Sequence, residues 1–197
     1  MKLYDLELSG NCYKVRLFLA LIGKDYELVP VDFLDGEHTR APLSDLNPFK
    51  EIPILQDGDL VLRDSQAILV YLARQYADET WLPSDARAMA KVMEWLMMAE
   101  NEIARGPNDA RLHDKFGYAL DHELAVKKAD RVLDLLEQHL ENRHWLVGEA
   151  PTIADLACFP YVALGHEGGV PVGNHPGVQA WIDRIKSLPG FIGMPAL

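Results

Sequence analysis

Ser9, Asn11 and Cys12 crowd a hydroxyl, an amide and a thiol into the segment Leu8-Ser9-Gly10-Asn11-Cys12-Tyr13-Lys14-Val15-Arg16. The segment follows a strand-like start, Lys2–Leu6, and precedes an apolar run, Val15–Ile22. The first backbone N–H groups of a helix lack internal partners and attract negative charge. An anion at that turn, a thiolate for example, is stabilised without any metal. Taken alone, a Ser or Asn in such a place is usually a helix cap.

A second segment is Asn47-Pro48-Phe49-Lys50-Glu51-Ile52-Pro53-Ile54-Leu55. A proline at the start of a strand has no N–H to give the sheet, and it is one of the few places where a cis peptide occurs. A cis bond there turns the backbone of Ile52 outward, where its N–H and C=O can pair antiparallel with a peptide ligand. The alternative is an ordinary loop-to-strand proline. A third segment, Arg63-Asp64-Ser65-Gln66-Ala67-Ile68, places an acid and a serine at a helix start. The serine hydroxyl and free N–H groups can hold a carboxylate and Asp64 an ammonium, which suits an amino-acid head group. By itself this is a common helix cap.

The elements that must position these residues fall into two groups. Before Ala77 the chain alternates: strand Lys2–Leu6, helix Tyr13–Ile22, strand Tyr26–Phe33 with Pro30 marking an edge, strands Ile52–Gln56 and Leu60–Leu62 flanking a hairpin signal at Asp57-Gly58, then helix Ser65–Tyr76. After Pro83 nothing alternates. Val92, Trp95, Leu96, Ala99 and Ile103 have helical spacing within Asp85–Arg105, as do Leu124, Val132, Leu135, Leu136 and Leu140 within Leu120–Leu140. Pro151-Thr152-Ile153-Ala154-Asp155 reads as a capping box, and Pro176–Leu188 as a last helix stopped by Pro189-Gly190. The expected organisation is an α/β domain over 1–76, a linker over 77–83 and an all-helical domain over 84–197.

Composition narrows the function classes. The 197 residues are 49% hydrophobic, enough for a substantial core. Nineteen Lys and Arg against thirty Asp and Glu give a formal net charge of -11, which argues against nucleic acid and anionic membranes as partners. No stretch has the length and apolarity of a membrane span, and no basic leader precedes an apolar run, so a cytoplasmic location is expected. Two cysteines, Cys12 and Cys158, cannot form a disulfide framework and fit a reducing compartment; Cys158 reads as core. His38, His113 and His122 stand far apart in sequence, and no metal is expected.

The Ser turn, the Pro-start strand and the acid-Ser helix start, in this order, resemble the N-terminal domain of cytosolic glutathione transferases. Leu146-Val147-Gly148 and Pro151–Asp155 match the helical half, so the resemblance covers essentially the whole chain. It implies a thioredoxin-like domain (βαβ followed by ββα), an all-α domain, glutathione as cosubstrate, a small hydrophobic electrophile and a homodimer. Ile52 would pair its backbone with the cysteinyl part of glutathione, with Pro53 cis. Asp64 and Ser65 would take the γ-glutamyl ammonium and carboxylate. His38, in Gly36-Glu37-His38, would meet the glycyl carboxylate, with Lys50 or Glu51 at the same end.

For the thiol the order of expectation is Ser9, then Asn11, then Cys12. Serine-type members keep a hydroxyl at Ser9, some bacterial disulfide reductases of this fold use an Asn, and beta-type members use a Cys. The chain departs from the family in having Asp64 where Glu or Gln is usual and Lys50-Glu51 before the Ile-Pro pair. Tyr13-Lys14-Val15-Arg16 continues a likeness to zeta-type members, often maleylacetoacetate isomerases, but Asn11 stands where those have cysteine. An electrophile pocket is expected between the domains against Leu8 and the helix Asp85–Arg105. There Met97, Asn101 and Arg105 at i, i+4 and i+8 can share one face; core packing of Met97 and solvation of Arg105 are the alternative. The alternatives in function are a glutathione-dependent disulfide reductase or peroxidase, an isomerase-like enzyme, and a non-catalytic interaction module.

Overall fold

The structure, a computed structural model, describes residues 1–197. Strand β1 (Lys2–Asp5) leads into helix α1 (Gly10–Leu21), strand β2 (Glu27–Pro30), a short helix α2 (Leu43–Leu46), the hairpin β3 (Ile54–Asp57) and β4 (Leu60–Arg63), and helix α3 (Ser65–Tyr76). The sheet order is β2-β1-β3-β4, with β1 and β2 parallel and the other neighbours antiparallel. Pro30 ends the edge strand, where its missing N–H leaves no gap in the ladder. Register sets the two faces with period two. The pair Leu3–Leu55 enters the main core on the α1 and α3 side, and the pair Tyr4–Ile54 meets Val31 and Leu43, so α2 covers the other face.

The expected strand over Ile52–Gln56 starts two residues late, at Ile54, because Pro53 has no N–H for the ladder. The Ile52–Pro53 bond is cis, as is Ala41–Pro42.

The second half is helical: α4 (Ala86–Met98), a π-helical stretch over Ala99–Asn108, α5 (Asp109–Phe116), α6 (His122–Leu140), α7 (Ile153–Ala163) and α8 (Pro176–Lys186). The thioredoxin-like α/β domain followed by an all-α domain is thus present. Two details differ from the sequence reading. The helix expected to run regularly from Asp85 to Arg105 changes its winding after Met98. Pro107 lies inside the wide stretch, where an ordinary α-turn would set its ring against the carbonyl of Ile103. Gly106 lets the same stretch press on α6; a Cβ there would sit 2.9 Å from Ala129 N. Helix α5 was not anticipated, being polar and short.

Every residue of α7 is buried, which is why its sequence shows no polar face. It packs against α1, α3 and α4, and one hydrophobic cluster of 41 buried residues runs from Leu3, Val15 and Leu72 to Leu156, Phe159 and Trp181. The linker therefore separates two kinds of element that share a single core.

Candidate functional site

The turn between β1 and α1 is held by two buried arginines. Arg16, in α1, reaches back to the Asp5 carboxylate and donates to the carbonyls of Leu6 (3.3 Å) and Glu7 (2.8 Å). Arg111, in α5, donates to the Leu8 carbonyl at 3.2 Å and to Glu167 at 2.6 Å. A guanidinium fans several donors in one plane and can hold several carbonyls of a loop at once. Neither residue was assigned a role from sequence, although a cation inside an apolar helix, as at Lys14 and Arg16, is a visible signal.

On this braced turn Ser9 is the N-cap of α1. Its Oγ accepts from Cys12 N at 3.2 Å. A hydroxyl has one proton and two acceptor sites, so the cap consumes an acceptor site and leaves the proton to give. Asn11 donates its backbone N–H to the Tyr161 hydroxyl of α7 at 3.2 Å. That contact needs Gly10, since a Cβ there would lie 2.4 Å from the Tyr161 ring. Asn11 Oδ1 accepts from Lys14 Nζ at 2.8 Å and lies 3.3 Å from Ser65 Oγ, whose one proton goes to Gln66.

Cys12, third in the expected order, is corrected. It is fully buried, its sulfur accepts from Leu6 N at 3.5 Å, and burial, aided by Asp5, pushes the thiol up to about 12. A thiol so held supplies no thiolate near neutral pH. Cys158 is buried in α7 with its sulfur toward the Trp95 carbonyl.

Ser65 opens α3, so the N-termini of α1 and α3 meet through the Asn11–Ser65 contact. Asp64 caps α3: its Oδ1 accepts from Gln66 N at 2.9 Å and Ala67 N at 3.0 Å, leaving Oδ2 free. It takes φ 73, a left-handed conformation that short polar side chains tolerate. Gln66 was quoted in the motif without a role. It takes the Ser65 hydroxyl on Oε1 and donates to Glu100 of the π-helical stretch at 2.7 Å, tying the two domains across the cleft. Partial desolvation and then Asp64 push the Glu100 carboxyl up, while Lys14 and Gln66 pull it down.

Ile52 makes no backbone hydrogen bond within the protein. Beside it, Asn47 shapes the loop by donating to the Glu51 carbonyl at 2.8 Å and accepting from Phe49 N. Lys50 and Glu51 are exposed, and Lys50 sits at φ 57. His38 stacks on Phe33, with ring centroids 3.9 Å apart, and its buried Nδ1 has no partner.

The residues expected to line an electrophile pocket differ in exposure. Leu8 is half-buried at the turn. Met97, Asn101 and Arg105 are exposed, and the polar contacts of the last two stay on their own helix, to Glu102 and Asp109. Hydrogen bonds to the α/β domain come instead from Glu100 and Arg111. His113 and His122, apart in sequence, stack at 4.8 Å across the turn between α5 and α6, and Asp114 lies 2.8 Å from the first and 3.3 Å from the second.

The site is thus polar groups at two converging helix N-termini of a thioredoxin-like domain docked on an all-helical domain. Residues 1–74 match the family model for the glutathione S-transferase N-terminal domain and residues 119–189 the model for the C-terminal domain. Glutathione S-transferase 3 of Zea mays is 36% identical over 97% of this chain and 91% of its own. A glutathione S-transferase structure from Pseudomonas fluorescens superposes with TM-score 0.93 at 32% identity, covering 98% of both chains. A glutathione transferase homologue from Drosophila mojavensis, whose structure holds bound glutathione, superposes with TM-score 0.86 at 25% identity over 95% of this chain and 88% of its own. The chain belongs to the glutathione S-transferase family.

Proposed function

We propose that this transferase joins glutathione to small apolar electrophiles, and that Ser9 favours the thiolate. What carries this reading is the meeting of two helix N-termini, with Ser65 Oγ 3.3 Å from Asn11 Oδ1. One N-terminus suits a thiolate and the other a carboxylate, because both carry positive helix-dipole charge and each keeps one unpaired N–H, that of Gly10 and that of Ser65. Ile52 supports it by offering an unpaired N–H and C=O to a peptide. The free Oδ2 of Asp64, with Glu100 nearby, suits the γ-glutamyl ammonium. His38, stacked on Phe33, would meet the glycyl carboxylate, with Glu51 at the rim.

Glutathione supplies the nucleophilic sulfur; the protein controls its ionisation and its neighbour. A thiol of pKa about 8.5 is only about 3% ionised at pH 7, so full ionisation gains at most roughly 30-fold. A larger acceleration has to come from holding the electrophile beside the sulfur. We assign the protein to the cytoplasm. Two buried, unpaired cysteines fit a reducing compartment, and no helix is long and apolar enough to cross a membrane. A homodimer is part of the proposal. Phe49 is 63% exposed beneath the Arg63 guanidinium, and Met93 and Met97 are exposed on α4.

A second reading is a glutathione-dependent disulfide reductase. It is favoured by the Asn11 amide nitrogen, which has no hydrogen-bond partner in the protein. Thiolate absorbance of bound glutathione against pH tests both. The parent should ionise it well below the free value, and Ser9→Ala should remove most of that shift. Loss with Asn11→Ala alone favours the reductase. Absence of glutathione binding would leave an interaction module on this fold.

A further inference from the structure

Lys14 lies in the first turns of α1 and is 1% exposed. An ammonium has three protons to donate. Lys14 uses one hydrogen bond, to Asn11 Oδ1 at 2.8 Å, and its Nζ stands 5.2 Å from the centre of the Tyr161 ring. The groups around it are Glu100 from the π-helical stretch, Asp64 before α3, and Cys158 and Tyr161 from α7. Burying a charge with so few partners is costly, and burial pulls this ammonium down to about 8. A methionine would fill the same space without that penalty, so packing does not explain a lysine here.

Its hydrogen-bond partner does. An ammonium can only donate, so the Asn11 atom that meets Lys14 Nζ is the carboxamide oxygen. That contact fixes the carboxamide, with Oδ1 on the Lys14 side and the two Nδ2 N–H donors turned away from it, without a partner in the protein. A positive charge on the oxygen side polarises the amide and strengthens the N–H donors on the other side.

We propose that Lys14 is a positioning residue for the thiolate, holding the Asn11 carboxamide with its N–H donors toward the sulfur and placing a buried positive charge behind them. This rests on the glutathione reading above and deepens it. Ser9 and Asn11 would then give the sulfur two donors, of which the second is oriented and charged from beneath.

The test uses Lys14→Met, Lys14→Gln and Asn11→Ala, alone and combined, in the full-length protein. Binding of S-methylglutathione, which has no ionisable thiol, reports whether the site is intact. Lys14→Met should bind it within about twofold of the parent. It should raise the apparent pKa of bound glutathione by about one unit, lowering kcat/KM about tenfold at pH 6.5 and recovering as the pH passes the new value. Lys14→Gln, which keeps a donor without charge, should fall between. Adding Lys14→Met to Asn11→Ala should change little further, since one acts through the other. An unchanged thiolate pKa in either folded Lys14 variant, or additive effects in the double variant, overturns the role of Lys14 alone. A parent that binds S-methylglutathione but does not ionise glutathione overturns the thiolate reading, and the role with it.

Discussion

Ser9 shows how a cap and a chemical group can be one atom. Its oxygen accepts from Cys12 N, which fixes the side chain, and the proton stays available to an acceptor in the cleft. Asn11 is placed the same way, its oxygen taken by Lys14. Lys14 carries the energetic consequence. Unfolded, it holds its proton to about 10.5; folded, only to about 8. Between those values the unfolded state binds the extra proton, so this group's contribution to stability rises with pH from 8 to 10.5 and its penalty is complete below 8. That gap corresponds to at most about 3 kcal/mol. Lys14→Met is therefore expected to be more stable than the parent at pH 7, with the difference in urea midpoint shrinking by pH 10. A Met variant less stable than the parent at pH 7 would count against it. A residue that weakens the fold while arranging a site is what a functional role looks like.

Among the elements, α7 does most to join the halves. Its Tyr161 hydroxyl takes the Asn11 N–H, and its first turn is closed by Thr152 and Asp155. The Asp155 carboxylate accepts from Thr152 N at 2.9 Å, Leu146 N at 3.0 Å and Trp181 Nε1 at 2.9 Å, all out of water. Removing it orphans three buried donors, each worth roughly 1–3 kcal/mol when left unmade. Asp155→Ala should lower stability by about 3 kcal/mol or more in urea, and a loss below about 1 kcal/mol would mean that water replaces the carboxylate. The capping box was readable from Thr152 and Asp155 because it is an i to i+3 interaction. The bond to Trp181 was not, because it joins positions 26 apart.

For the assembled protein the open question is what covers Phe49. It projects from the loop before β3 with Arg63 3.9 Å above its ring, and α4 exposes Met93 and Met97. A second copy is the proposed cover. Light scattering should give about twice the 22.1 kDa chain mass, and Phe49→Asp should shift the equilibrium toward monomer. A monomeric parent at micromolar concentration would remove the dimer from the proposal. The net charge of -11 makes any such association easier as salt rises, since copies repel at low ionic strength.

What the chain determined by itself is local. The caps at Ser9, Asp64 and Thr152, the hairpin at Asp57-Gly58, the full span of Ser65–Tyr76 and the strand-breaking Pro53 all follow from contacts a few residues long, which a pattern of types can encode. What only the tertiary structure decided is which polar atoms meet and which are hidden. Arg111 reaches Leu8 across 103 positions, Ser65 reaches Asn11 across 54, and Gln66 reaches Glu100 across 34. The winding changes after Met98, and in the stretch that follows Glu100 takes the Gln66 donor from the other domain. Burial withdrew Cys12 from thiol chemistry and turned Lys14 from one cation among nineteen into the floor of the site. Such outcomes depend on the dielectric and the neighbours around a side chain, and those exist only once both domains have closed on one core.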